Sequence, residues 1–145
     1  MALPEPVSGL VIPYSYLRKD EYQRGHDEGV KDRPCAVILV SANDEHQRVV
    51  TVLPITHTPR SDPTLAVEIP AGVKRRLRLD DERSWVVLSE ANRFIWPGPD
   101  LSPARPGDLA SVSYGPLPFA LFEEIRIKFI AAIKARRASV VSRSE

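Results

Sequence analysis

A single cysteine, Cys35, sits inside an apolar run. No intrachain disulfide and no cysteine-rich zinc site can therefore form, and a reducing, cytoplasmic setting is the simplest expectation. Charge of one sign is also lacking: 20 Lys and Arg stand against 19 Asp and Glu. That balance excludes a surface that coats polyanions wholesale and confines any nucleic-acid contact to a local patch. No segment approaches the roughly 18 uninterrupted apolar residues of a membrane span, and Met1-Ala2-Leu3-Pro4-Glu5-Pro6 lacks the basic and apolar regions of a leader. There is no Walker-type glycine loop, no paired-cysteine spacing and no Gly-x-Ser-x-Gly elbow. The three histidines are too scattered to read as a metal site, so neither a metal nor a cofactor is expected.

What the chain has in excess is proline, 14 in 145 residues. Proline cuts the first two thirds into short extended segments and argues against a helical bundle. Candidate strands are Gly9–Tyr16, Pro34–Ser41, Arg48–Thr56, Leu65–Ile69 and Trp85–Glu90, each rich in the β-branched, aliphatic or aromatic residues that suit a pleated surface. Pro34–Ser41 is almost wholly apolar and reads as a central strand covered on both faces. The polar interval Ala42–Gln47 suits a hairpin loop, pairing that strand antiparallel with the next. Arg93–Pro118 is crowded with Pro and Gly and reads as irregular, with one short strand around Ala110–Tyr114.

The last third changes period. Phe122, Ile125, Phe129 and Ile133 recur at helical spacing over Phe119–Arg137, with Glu123 and Glu124 near the start and Lys134, Arg136 and Arg137 near the end, where the helix dipole favours them. The expectation is a mainly β fold with a C-terminal α-helix, a small SH3-like barrel with the helix packed against it. One domain over residues 1–138 is expected, followed by a frayed tail at 139–145.

Three blocks in order resemble a known family. Glu28-Gly29-Val30-Lys31-Asp32-Arg33-Pro34 enters an apolar strand, Val52-Leu53-Pro54-Ile55-Thr56 ends the next, and Ser84–Arg93 follows. With Gly9–Ile12 before them and Gly115–Pro118 after, the pattern resembles the PemK/MazF-like toxins of type II toxin–antitoxin systems. The resemblance implies a homodimeric endoribonuclease of single-stranded RNA, restrained by a cognate antitoxin, that needs no metal. Its products would be a 2′,3′-cyclic phosphate and a 5′-hydroxyl. The sequence departs from some members at Leu88, where they carry Arg, and at Asp27, where they carry His, so duties assigned to those groups do not transfer.

Metal-free cleavage by the ribose 2′-hydroxyl requires a base, a cation for the phosphorane charge and an acid for the leaving oxygen. The resemblance gives Glu28 as proton acceptor, Arg33 as phosphate clamp and Thr56 as hydrogen-bond donor. His57 and His26 are candidate proton shuttles. Neighbouring strand residues face opposite ways, so His57 joins Thr56 only if the strand has already ended. His26, Lys31, Glu90, Arg93 and Trp96 are candidate RNA contacts. Plainer roles stand beside these: Arg33 as a surface ion-pair partner, the histidines as surface residues, Glu90 and Arg93 as a local ion pair, Trp85 as core. Lys74, Arg75, Arg76 and Arg78 read as a solvated basic face. The competing function is a non-catalytic binding module of the same fold, such as a gyrase poison.

Overall fold

A computed structural model describes residues 5–18, 33–97 and 113–143. Its strands are β1 (Leu10–Tyr14), β2 (Arg33–Ala42), β3 (Arg48–Thr56), β4 (Ala66–Glu68), β5 (Trp85–Val87), β6 (Glu90–Ile95), β7 (Gly115–Pro116) and β8 (Ser139–Ser142). A short helix α1 (Ala71–Arg76) follows β4, and the long helix α2 (Phe119–Lys134) lies between β7 and β8. The architecture is mainly β with a C-terminal helix, as the residue pattern predicts. The strands join one sheet in the order β4-β5-β3-β2-β1-β7, with β6 also on β3 and β8 on β6. Among the described residues the sheet does not close into the expected barrel.

The centre is the β2–β3 hairpin, antiparallel from Cys35↔Pro54 to Ala42↔Arg48. Its loop is built by Asn43, whose Oδ1 accepts from the backbone N–H groups of Glu45 and Gln47 at 3.0 Å each, a side-chain mimic of a backbone turn. The first half of β2 is covered on both faces, as expected. Ala36 and Ile38 join one apolar cluster with Leu53, Ile55, Val86 and Ile125, while Cys35 and Val37 join a second with Ile12, Tyr14, Val52 and Phe94. The second half is not covered, since Leu39 is 54% exposed beyond a register shift between Val37 and Leu39.

Helix α2 lies over the first cluster through Ile125 and Phe129. Burying two such side chains contributes roughly 1.5–3 kcal/mol each. Ala132, not Ile133, continues the inner face. Ile133 is largely exposed together with Ile127, because an i+3 step from Phe129 follows the buried stripe more closely than the i+4 step read from the sequence.

The C-terminal residues expected to fray instead form β8, which pairs parallel with β6 from Glu90↔Ser139 to Arg93↔Ser142. Helix α2 ends on Arg136 at φ 57°, with Arg136 N–H on Ile133 O and Arg137 N–H on Ala132 O. This Schellman turn closes the helix without glycine and returns the chain to the sheet. Strand β6 falls in a stretch read partly as irregular. Its apolar alternation is broken by Asn92, which is nonetheless fully buried. No helix among the described residues is long and apolar enough to cross a membrane.

Candidate functional site

Arg33 and Thr56 are brought together by strand register. The β2–β3 pairing ends at Cys35↔Pro54, and two further residues along that register set Arg33 opposite Thr56. On the flanks Tyr14 pairs with Arg33 and Trp85 with Thr56, so the two candidates stand side by side at one end of the sheet. Both line a cavity of about 290 Å³ that also receives Arg18, His57, Lys74, Asp80 and Ser84.

His57 reaches the same cavity because β3 has ended. The backbone N–H of Thr58 donates to Thr56 Oγ1 at 3.1 Å, a hydroxyl turn that interrupts the two-residue alternation of a strand. Since the hydroxyl is only the acceptor there, its own hydrogen remains available to a ligand. Arg33 Nε is buried with no hydrogen-bond partner among the described residues.

A second layer of the site comes from α1, an element the sequence reading lacked. Lys74, read as part of a solvated basic face, is instead buried, while Arg75, Arg76 and Arg78 are exposed. The reason is what its ammonium meets: Asp80 Oδ1 at 2.6 Å, Ser84 Oγ at 2.7 Å and the Glu82 carbonyl oxygen. Three acceptors for three N–H donors make the burial of this cation tolerable. The chain is turned back to supply them by a Schellman motif, in which Arg78 at φ 58° follows α1, Arg78 N–H bonds Arg75 O and Leu79 N–H bonds Lys74 O.

Asp80 in turn holds His57. Its Oδ2 lies 2.7 Å from His57 Nε2, and Glu82 Oε2 lies 3.0 Å from His57 Nδ1. Of the two contacts only that to Asp80 has the geometry of a hydrogen bond, while Glu82 makes an ion-pair contact. The Lys74 ammonium, by hydrogen bond and by charge, holds the Asp80 carboxyl below its ordinary range, and His57 adds to this. His57, Asp80 and Glu82 each offer a ligand-type atom within 4.8 Å of the others. Asp80, however, already spends Oδ1 on the Lys74 ammonium and Oδ2 on a hydrogen bond to His57 Nε2. The geometry suits a clamped imidazole better than a metal tripod.

The remaining candidates are elsewhere. Glu90 neighbours Tyr16, whose phenol is pushed far above its ordinary range by burial first and then by the Glu90 charge. Arg93 lies on the exposed side of β6 and donates to Ser142 Oγ at 3.1 Å. Trp96 packs at the edge of the second cluster, 6.3 Å from the Phe94 ring. None of the three lines the cavity. Trp85, read as core, is half-buried with the Arg83 guanidinium 5.0 Å over its ring. Glu28, His26 and Lys31 lie outside the described residues.

Arg18, Asp80 and Ser84 were not legible as site residues. Arg18 is delivered by a buried clamp: Leu17 N–H donates to Asn92 Oδ1 at 2.8 Å, and Asn92 Nδ2 donates to Leu17 O at 2.9 Å. Arg143 Nη1 reinforces it by donating to Ser15 O at 2.8 Å and to Asn92 Oδ1 at 3.2 Å. Strand β8, which carries the chain to Arg143, thus supports the segment leading to the site.

A family model described as PemK-like, MazF-like toxin of type II toxin–antitoxin system matches residues 16–94. That span takes in Arg18, Arg33, Thr56, His57, Lys74 and Asp80. No curated protein matches the chain.

Proposed function

The chain belongs to the PemK-like, MazF-like toxins of type II toxin–antitoxin systems, and we propose that it is an endoribonuclease that cleaves single-stranded RNA by attack of the ribose 2′-hydroxyl. The observation that carries this reading is the convergence of Arg33, Thr56 and His57 with Arg18 on one cavity. A phosphodiester needs a cation and a hydrogen-bond donor at its non-bridging oxygens as it becomes a phosphorane. Arg33 supplies a planar guanidinium suited to two oxygens at once, and Thr56 supplies a hydroxyl hydrogen. Glu28 accepts the 2′-hydroxyl proton in this reading. The products are a 2′,3′-cyclic phosphate and a 5′-hydroxyl, with no metal in the reaction.

Membership of a type II family carries an antitoxin partner with it. In this reading the antitoxin competes with RNA for the cavity mouth, and the toxin acts as a homodimer in the cytoplasm. Purified protein is incubated with single-stranded RNA in excess chelator, and the ends of the fragments are identified. Cleavage leaving cyclic-phosphate and 5′-hydroxyl ends is expected, and Arg33→Ala should reduce it by about 10²-fold or more. Absence of cleavage, or a strict requirement for added metal, would sink the reading.

A further inference from the structure

Resting on the nuclease reading, we infer that Asp80 and Lys74 are positioning residues that hold His57 as the proton donor to the leaving 5′-oxygen, with Asp80 gripping Nε2 and Nδ1 giving the proton.

The inference comes from unequal grips on the two ring nitrogens. Asp80 is anchored: its other oxygen bonds the Lys74 ammonium at 2.6 Å, and that ammonium has only 5% of its side chain exposed. Glu82 is not anchored comparably. Its side chain is 71% exposed, and among the described residues its carboxylate makes only an ion-pair contact with His57 at 3.0 Å. A carboxylate on one imidazole nitrogen fixes the ring and supports its protonated form, while the other nitrogen does the chemistry. RNA entering the cavity displaces the loosely held Glu82 more easily than the anchored Asp80.

The step balances. As the 2′-oxygen bonds to phosphorus its proton passes to the base, the bond from phosphorus to the 5′-oxygen breaks, and the Nδ1 proton moves to that oxygen. His57 finishes neutral, still bonded to Asp80 through Nε2–H. Charged groups facing the imidazole are Asp80 and Glu82 directly, Lys74 through Asp80, and Arg18 and Arg33 across the cavity.

The test compares two RNA substrates, one ordinary and one with the scissile 5′-oxygen replaced by sulfur. A thiolate leaves without protonation because thiols ionise near pH 8.5. On ordinary RNA, His57→Ala and Asp80→Asn are each expected to lose about 10²-fold in kcat/KM, and Lys74→Met about 10-fold by leaving Asp80 unanchored. On the thio substrate all three defects should shrink to within about threefold of wild type. Glu82→Gln, which removes only an ion-pair contact at Nδ1, should lose far less on ordinary RNA than Asp80→Asn does.

Should Lys74→Met fail to fold, Ser84→Ala removes one acceptor from the ammonium and is expected to give a smaller loss that the thio substrate also erases. Equal defects on both substrates would mark a structural lesion and overturn the inference. So would an Asp80→Asn enzyme with undiminished activity, or a Glu82→Gln loss as deep as that of Asp80→Asn. Wild-type protein that cleaves neither substrate overturns the nuclease reading itself and this assignment with it.

Discussion

Asn92→Ala tests whether the buried clamp on Leu17 holds the site together. Asn92 is fully buried, and its amide makes a pair of bonds with the Leu17 backbone while its oxygen also meets Arg143. Alanine leaves the Leu17 N–H and carbonyl without partners in an environment where Leu17 is itself 2% exposed. Each buried polar group left unsatisfied costs about 1–3 kcal/mol. Water entering the small space left by the amide recovers part of this, so a loss of about 3 kcal/mol is expected. With a urea slope of about 2 kcal/mol/M, the midpoint falls by about 1.5 M at unchanged slope. Because Arg18 follows Leu17, the variant should also bind RNA less tightly under conditions where it remains folded. A midpoint shift below about 0.3 M would mean that the two backbone groups are not sequestered, and the support assigned to Asn92 would be wrong.

Ending the chain at Ala138 removes β8, with its buried Val141, and the Arg143 bonds. A loss of about 3 kcal/mol or more is expected by thermal melting, whereas a domain complete at 138 would melt unchanged. Arg78→Gly relieves a non-glycine residue at φ 58° in the turn after α1. The gain should be about 0.5–1 kcal/mol, raising Tm by about 2 °C, and a lower Tm would show that the Arg78 side chain contributes more than its backbone strain costs. Asp80, whose carboxyl Lys74 lowers, contributes stability that is present above its unfolded value near 3.9 and is lost as pH falls through the folded value. The gap between wild type and Asp80→Asn in urea midpoint should therefore close below about pH 4; a gap independent of pH between 3 and 7 would refute the ion pair.

Much of the strand framework was legible because its signal is local. Arg48–Thr56 is bounded by a polar loop before it and a threonine turn after it, and the strand matches the sequence reading residue for residue. Short-range pattern misleads where burial is achieved by unusual chemistry. Asn92 breaks the apolar rhythm of β6 because it replaces a ladder partner with its side-chain amide. Lys74 sits in a run of arginines and reads as surface, since the acceptors that bury it arrive 6, 8 and 10 residues later through a left-handed turn that Arg78 takes with no glycine to mark it. Arg33 and Thr56 were found through family resemblance. Their adjacency follows from a register that no local pattern encodes, because it depends on the length of the intervening hairpin.

Proline explains why the cavity opens where it does. Pro13 pairs with Pro34 across β1 and β2, and Pro54 stands opposite Cys35 across β2 and β3. Three adjacent strands thus carry a residue with no N–H at nearly one level of the sheet, where the backbone ladder must thin. Immediately beyond that level stand Arg33 and Thr56, and the β2–β3 pairing does not extend to them. Side chains take over the cohesion that the ladder gives up: Lys74 joins Asp80, Ser84 and the Glu82 carbonyl, and Asn92 joins the Leu17 backbone. A sheet end held by side chains instead of a continued ladder can present a guanidinium, a hydroxyl and an imidazole to one ligand without burying an unpaired backbone edge. Thus the prolines that cut the sequence into short segments also mark the depth at which β2 and β3 part and the chemistry of the site begins.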